Sequence, residues 1–418
     1  MLTMSENHER ARRPLPWLSR DGWLILIARG LRAFGYGCLS VLLAIYLEAM
    51  GLEASGIGFV LTASLMGAAA LTLLFSVTAN RWGRRRLLAA NAVMMLAAGA
   101  VFALSSSFLL LFIAALSGTI SVSTSERGAF LSLEQAMLPQ TTDDGHRTQL
   151  FAAYNTASSF AGALGAVFSG LPVLLQSALG FSGLDAFRSM FWVYTFLALA
   201  VLLLVSWLSP EVELRGQAQS MGRWGLGPSR DTVIKLAALF SIDALAGGLI
   251  VQSFLAYWFH SVRGMPLEMV GLLFAASGLL EGFSFFAAAR LSARFGLINT
   301  MVFSHLPSNL LLMLIPLAPT AALAAALFLV RQSLSQMDVP TRQSYLMAVV
   351  TVEERTAAAG ITTVARGVSQ SVSPALAGVA TQFLSSAVPF FLCGGIKIIY
   401  DLALYATFRN LKPPEELK

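Results

Sequence analysis

Charge is scarce in this chain. Of 418 residues, 12% are Asp, Glu, Lys or Arg and 56% are hydrophobic, where an ordinary soluble domain is about 25% charged. A soluble globule of this length would lack the polar residues to cover its surface. Short alternating strands, the mark of a transmembrane barrel, do not recur. Cysteine is nearly absent: Cys38 and Cys393 both lie inside apolar stretches, which excludes a disulfide framework and reads as small packing residues. The start of the chain is polar and basic, with Arg10, Arg12 and Arg13 ahead of an uncut apolar block, so no cleavable signal peptide is expected. HExxH, GxSxG and P-loop patterns are missing and the four histidines are scattered. Neither a catalytic motif, a metal nor a cofactor is implied.

What the chain has is apolar blocks of about 20 residues, the length of helix that crosses a bilayer core. They predict an all-α membrane protein with twelve spans, at 22–47, 55–79, 87–105, 108–134, 148–175, 189–208, 233–259, 268–289, 297–317, 321–348, 356–384 and 389–408. The 28 Lys and Arg are distributed unevenly around these spans. Most lie in the N-terminal segment, the connections from even to odd spans and the C-terminal tail. The opposite set of connections holds only Arg188 and Arg263. Basic residues stay on the cytoplasmic side of short loops. The expectation is an integral plasma (inner) membrane protein with both termini cytoplasmic. The net charge of +6 then reflects orientation, not nucleic-acid binding. The longest polar break, with Gly216, Gly222, Gly225, Gly227 and Pro228, has the composition of a linker. The expected organisation is a cytoplasmic segment 1–21, a six-helix bundle 22–208, a cytoplasmic linker 209–232, a second bundle 233–408 and a cytoplasmic tail 409–418.

The two bundles read as duplicates. A shift of 213 residues superposes Gly51 on Gly264, Gly58 on Gly271, Ala63 on Ala276, Ser64 on Ser277, Arg81 on Arg294 and Gly83 on Gly296. A shift of 208 superposes Arg147-Thr148 on Arg355-Thr356 at the starts of spans 5 and 11. Duplicated halves rocking about a midplane site are a recurrent solution to alternating access.

Residues Ser76–Leu88 read SVTANRWGRRRLL. This resembles the loop between helices 2 and 3 of the major facilitator superfamily, written G-x-L-a-D-r-x-G-r-r/k-x-x-l. Arg81, Gly83, Arg84, Arg85 and Leu88 match, while Ser76 stands for the first glycine and Asn80 for the acid. Ala289–Gly296, ARLSARFG, is a fainter copy carrying Arg294 and Gly296. The resemblance implies two pseudo-symmetric six-helix bundles and a cytoplasmic gating loop. It also implies an arginine paired with an acid at the end of span 4, by position Arg84 with Glu134. Ser373–Gly378 (SPALAG) on span 11 and Gly165–Gly170 (GAVFSG) on span 5 resemble a Gly-Pro motif of antiporter branches, or else are small residues that let helices pack closely. Ala114 occupies the place where proton-coupled branches carry an arginine on helix 4.

Ionisable residues at membrane depth are costly and face a cavity or a partner. Arg32 on span 1, Asp243 on span 7 and Arg331 on span 10 fall roughly 15 Å from a membrane face at the helical rise. By the resemblance, spans 1, 4, 7 and 10 line a central cavity. Arg29 lies one turn from Arg32. Glu126 and Arg127 on span 4, Asp338 on span 10 and Glu281 on span 8 complete the candidates for substrate binding or coupling; Arg331, Asp338 and Arg342 fall on one stripe of span 10, with Pro340 inside the span. Arg366 reads either as a site residue or as a structural partner. Lys397 and Asp401, four apart on span 12, are expected to pair locally. His260 and His305 are expected near the outer interface. The excess of arginine leans toward an anionic or strongly polar cargo.

These readings converge on a secondary transporter of a small organic solute, with protons as a possible coupling partner through Asp243 and Glu281, lipid as its surroundings and a monomer as the expected state. Efflux and uptake or uniport of an anionic metabolite remain alternative directions. A membrane-embedded enzyme or a scaffold is the reading from another class, and no motif supports it.

Overall fold

The computed structural model describes residues 17–123, 128–142, 147–213, 227–351 and 354–411. The described residues are helical with no strand, and their helices follow the twelve predicted spans. Nine of the described segments are long and apolar enough to cross a membrane. Spans 4, 10 and 11 fall outside that set because each comes in two pieces, none longer than 17 residues. Span 4 is Phe108–Ala115 and Ala129–Met137, span 10 is Ala321–Ser335 and Asp338–Val349, and span 11 is Arg355–Ser371 and Ser373–Phe383. Pro340 and Pro374 explain two of the breaks. Each lacks the N–H that would bond the carbonyl four residues earlier, at Gln336 and Gln370, and the helix parts next to those residues. Span 5 parts in the same way before Pro172, between Arg147–Phe168 and Leu171–Leu179, and span 7 parts without a proline after Gly247 and Gly248, between Arg230–Gly248 and Gln252–Tyr257.

The packing repeats itself across the halves. Span 1 lies on span 5 as span 7 lies on span 11, and span 3 lies on span 6 as span 9 lies on span 12. Between halves, span 2 packs on the second piece of span 11, and span 8 on span 5. The outer faces of the helices remain apolar: Leu109, Phe160, Phe196, Phe283, Phe303 and Ile399 are all exposed, as side chains that meet lipid should be.

Two pairs of glycines related by the 213-residue shift do the same work in each half. Gly83 and Gly296 have φ of 82° and 87°, which an L side chain rarely adopts, and each turns the chain between two helices, spans 2 to 3 and spans 8 to 9. Gly58 and Gly271 sit where the halves touch. A Cβ on Gly58 would collide with the Pro374 carbonyl, and one on Gly271 with the Ala166 carbonyl. The small-residue stretches of spans 5 and 11 are therefore the partners of these two glycines. Ala166 and Pro374 are themselves 208 apart.

Spans 1 and 7 meet on the pseudo-twofold axis. Ser253 Oγ donates to the Ser40 carbonyl, 2.8 Å away and 213 residues earlier, and Ser261 donates to Glu48, again 213 residues earlier. Further hydrogen bonds between the halves link Ser253 to the Val122 carbonyl, Ser55 and Glu53 to Gln382, and Thr62 to Ala375. All lie toward the Gly51 and Gly264 turns, so that end of the bundle is closed.

Filling these contacts should open the seam. Gly58→Val and Gly271→Val are each expected to cost about 1–3 kcal/mol, the usual penalty of overpacking. Gly278→Ala, at a position with nothing near its Cβ, should leave the thermal unfolding of the purified protein unchanged. Equal melting curves for all three variants would contradict the seam.

Candidate functional site

In the first half, Arg32 of span 1 is completely buried. Its Nη2 donates to Glu134 Oε2 at 2.6 Å, and both side chains are at most 1% exposed. Tyr154 of span 5 donates its hydroxyl to the same oxygen at 2.7 Å. Arg32 also lies 4.3 Å above the Phe130 ring, and Arg29 lies 4.9 Å from the Tyr154 ring centroid. Glu134 thus joins spans 1, 4 and 5, and the expected Arg84–Glu134 pair does not form. The reason is position. Glu134 belongs to the second piece of span 4, which brings it inward against the fully buried Arg32.

Arg84 and Arg85 meet a different acid. Their backbone N–H groups both donate to the Glu213 carboxylate at 2.9 Å, so the first residues of span 3 are capped by the segment that follows span 6. Asn80 has lost the acid of the loop pattern, and its side chain lies outside the described residues. Arg81, Arg84, Arg85 and Arg86 with Trp82 and Glu213 line an open recess of about 590 Å³. At the other end of the connection between bundles, Glu354 accepts from the Gly227 and Ser229 amides and the Thr351 hydroxyl. Bonds from Ser229 and Gly227 hold its carboxyl below the usual carboxylate range.

In the second half, Asp243 is a hub. Lys397 Nζ of span 12 donates to Oδ1 at 2.5 Å, while Arg366 Nη1 of span 11 and Arg342 Nη1 of span 10 lie 3.0 and 3.4 Å from Oδ2. Arg342 also binds Asp338 at 2.5 Å, one turn away. Three cations on one carboxylate bind four helices together. Removing the acid would leave Lys397 and Arg366 without their counter-charge and Arg342 with Asp338 alone, which makes Asp243 a poor choice for a freely exchanging proton carrier. Arg366, 25% exposed, is the member of the cluster that reaches accessible space. Arg331 is half-buried. Its Nη1 donates to Gln332 at 3.1 Å, and its buried Nε finds no hydrogen-bond partner among the described residues. Glu281 is half-buried on span 8. Glu126 and Arg127 lie outside the described residues.

The expected Lys397–Asp401 pair is replaced. Lys397 turns to Asp243, and Asp401 accepts from Asn309 Nδ2 at 2.9 Å and meets His305 Nδ1 at 2.9 Å. His305 is 2% exposed, so it is a core residue and not an interfacial one. Its position in the middle of span 9 was visible in the sequence, but a partner 96 residues away on span 12 was not. Tyr154 and Asn309 were missed for the same reason: a single Tyr or Asn in an apolar run carries no periodic signal.

A duplicated helical bundle, closed on its axis at one end and carrying a buried ionic cluster in each half, has the architecture of a secondary transporter. The comparisons agree. The Major Facilitator Superfamily pattern matches residues 25–335, and the chain belongs to this family of membrane transporters; a transporter of this kind is not an enzyme. A curated relative is an uncharacterized membrane protein of Saccharomyces cerevisiae, 26% identical over 93% of this chain and 94% of its own length. Among solved structures, the nucleoside transporter NupG superposes with a TM-score of 0.75 at 15% identity, covering 93% of this chain and 99% of that one. A bacterial homolog of the human lysosomal transporter Spinster, in an inward-facing and occupied conformation, gives 0.75 at 13% identity over 93% and 96%. The D-xylose–proton symporter gives 0.70 at 15% over 95% and 99%. At these identities the solved structures speak for the fold alone.

The Arg32–Glu134 pair generates a prediction. Removing one partner of a buried pair costs about 3–5 kcal/mol, while replacing both with apolar residues of similar volume is often neutral. Arg32→Met and Glu134→Leu alone should therefore each lower the stability of the detergent-solubilised protein strongly, and the double variant should recover most of the loss. Additive losses in this double-mutant cycle would show that the two side chains do not act as a pair.

Proposed function

We propose that the protein carries a small organic anion across the plasma (inner) membrane by alternating access. The observation that carries this reading is the cluster of guanidinium groups at the centre of the second half: Arg342 and Arg366 share Asp243 with Lys397, and the buried Arg331 Nε–H bonds nothing among the described residues. Guanidinium groups bind carboxylate or phosphate through paired N–H donors. Arg366 and Arg331 are the residues placed to receive such a group, and Arg29, Arg32, Glu281 and Asp338 form the surrounding charged wall. Glu126 and Arg127 are retained as candidates on span 4.

The basic Gly83 and Gly296 end is assigned to the cytoplasm, with both termini on that side, because basic residues are retained there. The two bundles are taken as 22–208 and 233–408, joined by the cytoplasmic connection 209–232. In that orientation the closed seam lies outside, and the state described is inward-facing. The basic loop from Asn80 through Arg81, Gly83, Arg84 and Arg85, with Arg294 and Gly296 in the second half, then acts as a cytoplasmic gating element, tethered through Glu213. Uptake of the anion with a proton is favoured over export, since a co-transported proton offsets the charge of the cargo.

Two measurements test this reading. A thermal-shift screen of the purified protein against carboxylates, phosphates, sugars, nucleosides and organic cations should give stabilising hits among the anions. Arg331→Gln and Arg366→Gln should weaken those hits by about tenfold or more, the loss of one charged contact of about 1.4 kcal/mol. Hits confined to neutral or cationic compounds would overturn the anionic cargo. In proteoliposomes, an imposed inward proton gradient should drive accumulation of the anion so identified; transport indifferent to the gradient would overturn proton coupling.

A further inference from the structure

We propose that the His305–Asp401 pair is the proton-binding site of this transporter; the proposal rests on the proton-coupled reading above. Asp243 would be the obvious carrier in a bundle of this kind, yet its two oxygens are occupied by Lys397, Arg366 and Arg342. The pair behind it is built differently. Among the described residues no guanidinium or ammonium lies within ion-pair distance of Asp401; it is held by the His305 ring at 2.9 Å and the Asn309 amide at 2.9 Å. Both members of the pair are 2% exposed. Histidine is the side chain that changes charge near neutral pH, and an imidazole and a carboxylate in contact titrate as one unit.

The charged groups around the pair explain how a proton there would be felt at the cargo site. Span 12 carries Lys397 one turn from Asp401, and the Tyr400 ring lies 6.3 Å from the His305 ring. Span 7 carries Asp243. Span 10, packed on span 9, carries Arg331, Asp338 and Arg342, and Ser308 of span 9 donates to the Arg331 carbonyl at 3.5 Å. Span 8 carries Glu281. With His305 neutral, the cations Lys397, Arg342 and Arg366 balance the anions Asp243, Asp338 and Asp401. One proton from water, added to the pair with no other bond changed, leaves this group one positive charge in excess. Lys397 is then drawn wholly to Asp243, and Arg366, the exposed member of the hub, becomes available to an anion. Proton and anion therefore favour each other's binding, and by linkage the effect is reciprocal. Lys397 acts here as a positioning residue between the two sites.

The test uses the full-length protein in liposomes. Infrared difference spectra between about pH 8 and about pH 5, the window in which histidine changes charge, should contain an imidazole and carboxyl signature that is lost in Asp401→Asn and in His305→Gln. Either variant decides the matter if the other does not fold. Asp401→Glu, which keeps the carboxyl on a longer stem, should retain the signature with a displaced midpoint. Spectra identical to wild type in these variants overturn the proposal. Gradient-driven accumulation of the anion, measured on the same liposomes, should fall by about tenfold or more in Asp401→Asn, while exchange of anion at equal pH continues. The two readings fail separately. A wild-type protein that shows the signature but ignores the gradient loses the coupling and keeps the proton site. A gradient-driven protein whose signature survives both variants loses the site and keeps the coupling.

Discussion

Burying an ionic group in an apolar bundle is the constraint on which the rest of this structure depends. A charge at membrane depth must find a counter-charge and enough hydrogen-bond partners, or the helix carrying it does not stay inserted. In the first half, Glu134 answers Arg32 and takes a second bond from Tyr154. In the second, Asp243 answers Lys397, Arg366 and Arg342, and Asp338 shares Arg342. Apart from Asp338–Arg342, which lies within one helix, these contacts join different helices, so Glu134 and Asp243 each fix the rotation of several spans about their own axes. The breaks in spans 4 and 10 serve the same demand. A straight helix presents one stripe of residues to the axis, whereas a broken one re-aims its second piece, as the piece carrying Glu134 and the piece carrying Asp338 and Arg342 both do.

The duplication supplies a symmetric frame, and the charges are distributed on it asymmetrically. Gly58 and Gly271 make equivalent seams, Gly83 and Gly296 make equivalent turns, and Ser40 meets its own counterpart Ser253. A contact between equivalent residues can only lie on the axis that relates the halves, and an axis contact changes least when one half rocks against the other. The ionic clusters obey no such symmetry. Arg32 and Glu134 are sealed, with no exposed member. The Asp243 cluster has an exposed arginine on its front and the His305–Asp401–Asn309 triad behind it. Under the proposed coupling, the first half would serve as a rigid wall and the second as the half whose charge is altered.

Much of the frame was legible in the residues and their order. Block length marked the spans, Arg188 and Arg263 marked the side with few basic residues, and the Gly51/Gly264 and Gly58/Gly271 matches marked the repeat that the packing then displays. Gly165–Gly170 and Ser373–Gly378 were legible as small-residue stretches, though not as the two sides of one pseudo-symmetric seam. Partner choice among charges was not legible. Proximity in sequence favoured Lys397 with Asp401, and family resemblance favoured Arg84 with Glu134. Both failed because a helix end or a helix break decides which way a side chain points, and neither is encoded in the spacing of charges. His305 was misplaced for a related reason: depth along a span says nothing about which neighbour waits on the next helix.

The closed seam and the ionic clusters limit what motion is possible. At the Gly51 end the halves touch through carbonyls packed on glycine and through hydrogen bonds such as Ser55 to Gln382, contacts that are short-ranged and individually weak. They can be given up a few at a time as the halves rock. The buried ion pairs lie within a half, not between halves, and separating any one of them would cost several kcal/mol. Rocking therefore leaves the pairs intact and exchanges only the seam. Under the proposed coupling, what the second cluster contributes to the cycle is a change in net charge at a fixed geometry, made at the His305–Asp401 pair and felt at Asp243 through Lys397, without any helix in the second half having to come apart.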